Sequence, residues 1–241
     1  MYQLARTTDC ASPEEFGKLI AAHFLKTYHW VSKAKITLWE DPWARIEVNG
    51  QQHNHAFTKN TTERRFAEVE HARGMPPQVT GGLANLIVLK TTNSSFEKFV
   101  GHPGSYMEHD KWCTLKETPD RLFSTAVEST WRYASHAAPF NDCYDKVKRA
   151  FLDKFAGDPV VGVPSPSAQQ TQHDMCKEAL SRCAPYISDI KITTPNLHYM
   201  PLSSLVTPTH MHTPNADVFY PIDGPSGFIE SSASLEPRSK L

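Results

Sequence analysis

Nothing in this sequence approaches the ~18 consecutive apolar residues that a membrane-crossing helix requires, and no charged-then-apolar leader opens it. Both absences argue against a membrane protein or a secreted one. An excess of one charge is missing too: 25 Lys and Arg stand against 26 Asp and Glu in 241 residues. No basic surplus is left to attract nucleic acid or an anionic membrane. Cysteine is sparse, with Cys10, Cys113, Cys143, Cys176 and Cys183 odd in number and free of C-x-x-C spacing. That pattern fits small semi-apolar residues in a reduced intracellular compartment, not a disulfide framework. Walker, G-x-G-x-x-G, H-E-x-x-H and G-x-S-x-G motifs are all lacking, which removes the usual phosphate, dinucleotide, zinc-protease and serine-hydrolase readings. Two His-x-His pairs, His53/His55 and His210/His212, could each share a strand face. Neither has a nearby carboxylate or Cys partner, so they read as polar interface residues and no metal is expected.

What is present is enough apolar material, 39% of residues, for one large or two small domains. Ser12-Pro13-Glu14-Glu15 predicts a helix start in which Ser12 caps, Pro13 takes the first position and Glu15 completes a capping box. Phe16, Leu19, Ile20 and Phe24 follow at helical spacing. Beyond Tyr28 the period becomes two: Ala34, Ile36 and Leu38 alternate with Lys33, Lys35 and Thr37, as in a half-buried strand. Asp41-Pro42 marks a turn, Ala44, Ile46 and Val48 predict the returning strand, and Asn49-Gly50 predicts a further turn.

A second unit begins near Gly81-Gly82, with strands at 83–90 and around Val127, Trp131 and Tyr133. Asn141-Asp142 predicts the opening of a helix through Tyr144, Val147, Phe151 and Phe155, closed by Gly157. Another helix runs through Met175, Ala179, Leu180 and Cys183, and strands return at roughly 187–200 and 217–231. Strands grouped around paired helices predict an α+β arrangement with antiparallel sheet. The division expected is 1–78 for an incomplete first repeat, 79–236 for a full second repeat, and 237–241 for a tail. That tail ends Ser239-Lys240-Leu241, a receptor-read peroxisomal address, with Pro237 and Arg238 keeping it extended.

Four segments, 90–96 (KTTNSSF), 115–121 (LKETPDR), 165–171 (SPSAQQT) and 195–199 (PNLHY), occur in an order and spacing that resemble the urate oxidases. Supporting matches are 12–28 and 215–228, and the likeness runs from Tyr2 through the terminal Ser-Lys-Leu. The resemblance implies a tunnelling fold of tandem ββααββ repeats. It also implies peroxisomal oxidation of urate by O2 and water to 5-hydroxyisourate and hydrogen peroxide, with no cofactor. Carried over, the substrate-holding residues fall on Phe96, Arg121, Ala168, Gln169 and Asn196. Asn196 and His198 take the catalytic places, as the oxygen seat and the proton relay.

These residue types suit the substrate. Urate is a flat anion edged with alternating N–H and C=O groups. A phenyl ring such as Phe96 stacks on its face. The Arg121 fork grips one edge through charge-assisted bonds, and the Gln169 carboxamide offers a donor and an acceptor to the other. Ala168 stands where the family has a larger aliphatic residue, but the contact there is through its backbone N–H. Asn196 and His198, two apart on one expected strand, would point the same way.

The resemblance also implies a homotetramer with sites between subunits, and an import receptor as partner. The family's opening strands, catalytic Lys and Thr-Asp pair have no counterpart by motif from Met1 onward, with Tyr2–Arg6 matching the tail of a helix. A homo-oligomer of this chain alone would then lack the base, at a rate cost of about 10²–10⁴-fold. The competing expectations are a non-catalytic purine-binding subunit and a pterin-directed relative.

Overall fold

The computed structural model describes residues 1–59, 61–95, 118, 120–202, 218–224 and 226–235. Its centre is a six-stranded antiparallel sheet in the order β1 (Lys33–Glu40), β4 (Arg64–Ala72), β5 (Gln78–Lys90), β6 (Phe123–Tyr133), β7 (Ile187–Thr193), β10 (Glu230–Ser234). Helices α2 (Pro13–Thr27), α3 (Phe140–Ala156) and α4 (Ala168–Cys183) cover one face, and a short α1 (Tyr2–Thr7) precedes them. The expected boundary at 78/79 falls at the first residues of β5, and the sheet continues across it through the β4–β5 ladder.

Alternation dictates which face is covered. Ala67, Val69, Val79, Leu83, Val127, Trp131, Ile190 and Ile192 point toward the helices and are buried. Their alternate neighbours form charged rungs on the open face, among them Lys35–Glu68 at 2.9 Å and Lys191–Glu230 at 2.6 Å. Gly82 lets β5 and β6 lie close, since a Cβ there would stand 2.6 Å from Ser129 O.

Helix α2 starts as its sequence predicts, with Ser12 Oγ accepting from Glu15 N at 3.2 Å. The reciprocal half of the box is replaced, because the Glu15 carboxylate takes Lys18 Nζ at 3.0 Å. Helix α3 begins one residue before Asn141-Asp142, at Phe140, and has no side-chain cap. Pro139 occupies the cap position, and Asn141 instead donates to Ala11 O at 2.8 Å, tying α3 to the chain before α2. Gly157 closes α3 with φ 74°, its N–H bonded to Asp153 O at 2.8 Å.

The sharpest correction concerns residues 44–48. They form a strand, β2 (Ala44–Val48), that turns at Asn49-Gly50 (φ 53° and 77°) to pair with β3 (Gln51–Thr58), not with β1. The partner of β1 is β4, which local pattern had not marked. The strands expected at 187–200 and 217–231 are each divided. Donor-less Pro195 separates β7 from β8 (His198–Pro201), and β9 (Phe219–Ile222) pairs with β8 in a small ribbon apart from β10.

Candidate functional site

The start of β6 gathers the segments singled out by sequence. Arg121 lies just ahead of the strand, and its N–H donates to Ser94 O at 2.8 Å. Ser94 bridges in parallel to Ser165: Ser95 N donates to Ser165 O at 2.9 Å, and Ser165 N to Asn93 O at 2.8 Å. Ser165 Oγ accepts or donates to Thr171 Oγ1 and also reaches Ser167 O, so the turn before α4 is bonded to the helix it begins. Ser167 caps α4 by accepting from Gln170 N at 3.0 Å. Ala168 and Gln169 thereby open α4, where N–H groups have no intrahelical acceptor and the helix dipole favours an anion. Ala168 is buried with Phe123 and Phe155.

On the other side of β6, Asn196 bridges to Thr125. Thr125 Oγ1 donates to Pro195 O at 2.8 Å, and Leu197 N to Ser124 O at 2.9 Å. Asn196 N reaches Gly227 O at 3.4 Å. His198 is the first residue of β8, opposite Ile222. Asn196 therefore sits in the bridge before β8, not on one continuous strand with His198. Arg121 opens the short stretch 121–125, Asn196 bridges to it at Thr125, and the start of α4 is tied to it through the Ser165–Ser94 bridge and the packing of Ala168 on Phe123. Phe96 lies outside the described residues, as do His210, His212 and Ser239-Lys240-Leu241.

Three charged side chains stand at this end of the sheet, Lys90, Asp120 and Arg121. Burial pushes the Arg121 pKa down, which states the cost of holding a guanidinium in a half-buried place. The guanidinium keeps its proton regardless. Lys90 is likewise half-buried with its pKa pushed down by burial, and its Nζ donates to Val163 O at 2.6 Å. The Thr92 hydroxyl, donating at 2.6 Å, holds the Asp120 carboxyl below the usual carboxylate range, helped by the N–H groups of Ser94, Arg121 and Asn93.

Thr92, Asp120 and Ser165 lie inside the segments 90–96, 115–121 and 165–171, but the sequence alone gives them no role; their hydrogen bonds do. Among the described residues no group of three or more His, Cys, Asp or Glu is placed to hold a metal ion. His53 and His55 do stand together, with ring centroids 4.4 Å apart. Also among the described residues, no helix is long and apolar enough to cross a membrane.

Comparison with known proteins bears on the same segments. A family model described as uricase matches residues 1–70 and 79–230. Uricase-2 isozyme 1 of Canavalia lineata is 37% identical over 239 residues, covering 95% of this chain and 74% of that protein. The uricase of Oryctolagus cuniculus is 37% identical over 243 residues, covering 100% and 77%. The chain thus spans about three quarters of the length of these relatives. The crystal structure of uricase from Arthrobacter globiformis superposes with a TM-score of 0.82 at 32% identity, covering 98% of this chain and 74% of that one. Urate oxidase from Bacillus sp. TB-90, at 17% identity and a TM-score of 0.74, shares the fold. Sequence, sheet order and relatives agree along nearly the whole chain, and the chain belongs to the uricase family.

Proposed function

We propose that this protein oxidises urate, taking O2 and water to give 5-hydroxyisourate and hydrogen peroxide, at a site gathered around residues 121–125. The observation that supports this most is the convergence of the Arg121 segment, the opening turn of α4 and Asn196 on the start of β6. A flat anion set there would meet a guanidinium on one edge. On the other it would meet the Gln169 carboxamide with the Ala168 N–H, and Phe96 would stack on its face. Electrostatic pairing at a half-buried guanidinium and a helix N-terminus orients the purine. The Asn196 amide seats oxygen, or the water that follows it, above the ring. His198 polarises that water and passes a proton.

Urate supplies the electrons, so the reaction proceeds without flavin, haem or metal in this reading. Assembly as a tetramer with sites between subunits, and delivery to peroxisomes by a receptor reading Ser239-Lys240-Leu241, complete it.

Loss of the near-ultraviolet absorbance of urate, followed with and without chelator, is the test. Chelator-insensitive loss with peroxide release is expected. Binding without loss would point to a purine-binding subunit, and indifference to urate would overturn the reading. A fluorescent fusion that enters peroxisomes only while Leu241 is present checks the address, and light scattering checks the tetramer.

A further inference from the structure

One buried carboxamide does not fit the helix that carries it. The inward row of α4 runs Ala168, Gln172, Met175, Cys176, Ala179 and Cys183, all buried, and Gln172 interrupts an otherwise semi-apolar stripe at 1% exposure. A side chain of similar shape without polar atoms would fill the space and bring no polar atoms of its own to satisfy. Gln172 instead meets four partners. Its Nε2 donates to Ile229 O at 2.9 Å, Ile192 O at 3.1 Å and Thr194 Oγ1 at 3.2 Å. Its Oε1 accepts from Ser231 Oγ at 2.7 Å.

All four partners lie at the last rungs of the β7–β10 pairing, where Ser231 faces Ile192 and Thr194 N donates to Ile229 O at 2.9 Å. Two residues beyond Thr194 is Asn196, and one turn before Gln172 is Gln169.

We infer that Gln172 is a positioning residue, fixing the opening turn of α4 at a set distance from the exit of β7 so that urate held by Gln169 lies within reach of oxygen seated by Asn196. This rests on the assignment of those two residues to urate and oxygen made above. The contacts are directional, with the two Nε2 hydrogens shared among three acceptors and Oε1 held by Ser231, so the helix cannot slide along the sheet without breaking several at once. Urate held by Arg121 and Gln169 alone does not require that spacing. Reaction with oxygen seated by Asn196 does.

The test replaces Gln172 by Met, close in volume and free of strong hydrogen bonds, and compares urate affinity without oxygen to turnover with it. Gln172→Met is expected to leave the anaerobic urate Kd within about threefold. The second-order rate with oxygen is expected to fall about tenfold or more, the scale of a small misplacement of reacting groups. Gln172→Glu sets an acceptor against the carbonyls of Ile192 and Ile229, so its activity should recover partly at lower pH, where the protonated carboxyl can donate. Should Gln172→Met not fold, Ser231→Ala carries the test, with about a threefold fall in the oxygen rate at unchanged urate Kd.

An oxygen rate within twofold of the parent overturns the inference, as does a parallel loss of urate affinity and turnover. A parent protein that binds no urate overturns the functional reading first, and this inference falls with it.

Discussion

Glu14 and Arg65 form an ion pair that solvent barely reaches: Glu14 Oε2 lies 2.7 Å from Arg65 Nη2, and Glu14 is fully buried. The Tyr133 hydroxyl donates to Glu14 Oε1 at 3.1 Å, and Arg65 Nη1 donates to Asn141 Oδ1 at 2.8 Å. One charge pair thus joins the starts of α2 and α3 to β4 and β6. Arg65→Met leaves the carboxylate buried without its cation and should cost about 3–5 kcal/mol. Adding Glu14→Gln should recover part of that loss. Chemical denaturation of both single variants and the double variant measures the coupling, and additive effects would contradict it.

The same carboxyl carries a pH signature. Burial raises the Glu14 pKa and outweighs the lowering by Arg65. With the folded value above the unfolded one, this group's contribution is fully present below the unfolded pKa, about 4.3. It is lost as pH rises through the folded value. Stability of the parent relative to Glu14→Gln should therefore decline with rising pH above about 4.3, as followed by urea midpoints. A relative gain would contradict the assigned direction.

Close backbone packing at the centre of the sheet predicts intolerance of a single methyl. A Cβ on Gly81 would lie 2.6 Å from Trp131 Nε1 and 2.8 Å from the Tyr133 hydroxyl, both on buried side chains. Gly81→Ala should destabilise by about 1–3 kcal/mol through overpacking. A melting temperature equal to that of the parent would mean these rings repack freely.

Asp120 anchors the loop that positions Arg121. It accepts from Thr92 Oγ1 at 2.6 Å and from Ser94 N at 3.3 Å. Asp120→Ala should raise the KM for urate about tenfold with little change in thermal stability, since the carboxylate sits at the surface and acts on geometry. Steady-state kinetics alongside a thermal melt separates this from general loosening.

The cap of α4 serves stability and site together. Ser167→Ala removes the acceptor for Gln170 N and should cost about 1 kcal/mol. Because Ala168 and Gln169 follow directly, anaerobic urate affinity should also weaken, by about threefold, in the range of a frayed first turn. Ser12→Ala, the equivalent change at α2, should cost similar stability and leave urate affinity alone. Equal effects of the two variants on affinity would detach the cap from the site.

Local signals determined a good deal of this protein. Ser12-Pro13 marks a helix start because a hydroxyl can meet orphan N–H groups within one turn. The alternation around Ile36 and the apolar positions Val127, Trp131 and Tyr133 mark strands because side chains on a pleat point alternately in and out. The motifs also named the segments that converge at the head of β6. What they could not supply was partnership across distance. Residues 44–48 read as a strand from pattern alone, but whether it returns to β1 or turns at Asn49-Gly50 onto β3 depends on pairings many residues away. Glu14 reads as an ordinary first-turn acid until Arg65, 51 residues on, is brought against it. Gln172 reads as a polar flaw in an apolar row until the ends of β7 and β10 arrive to partner both its amide nitrogen and its oxygen. Propensity and capping act within a few residues of backbone, whereas burial, charge pairing and the spacing of a site exist only once separate segments have packed.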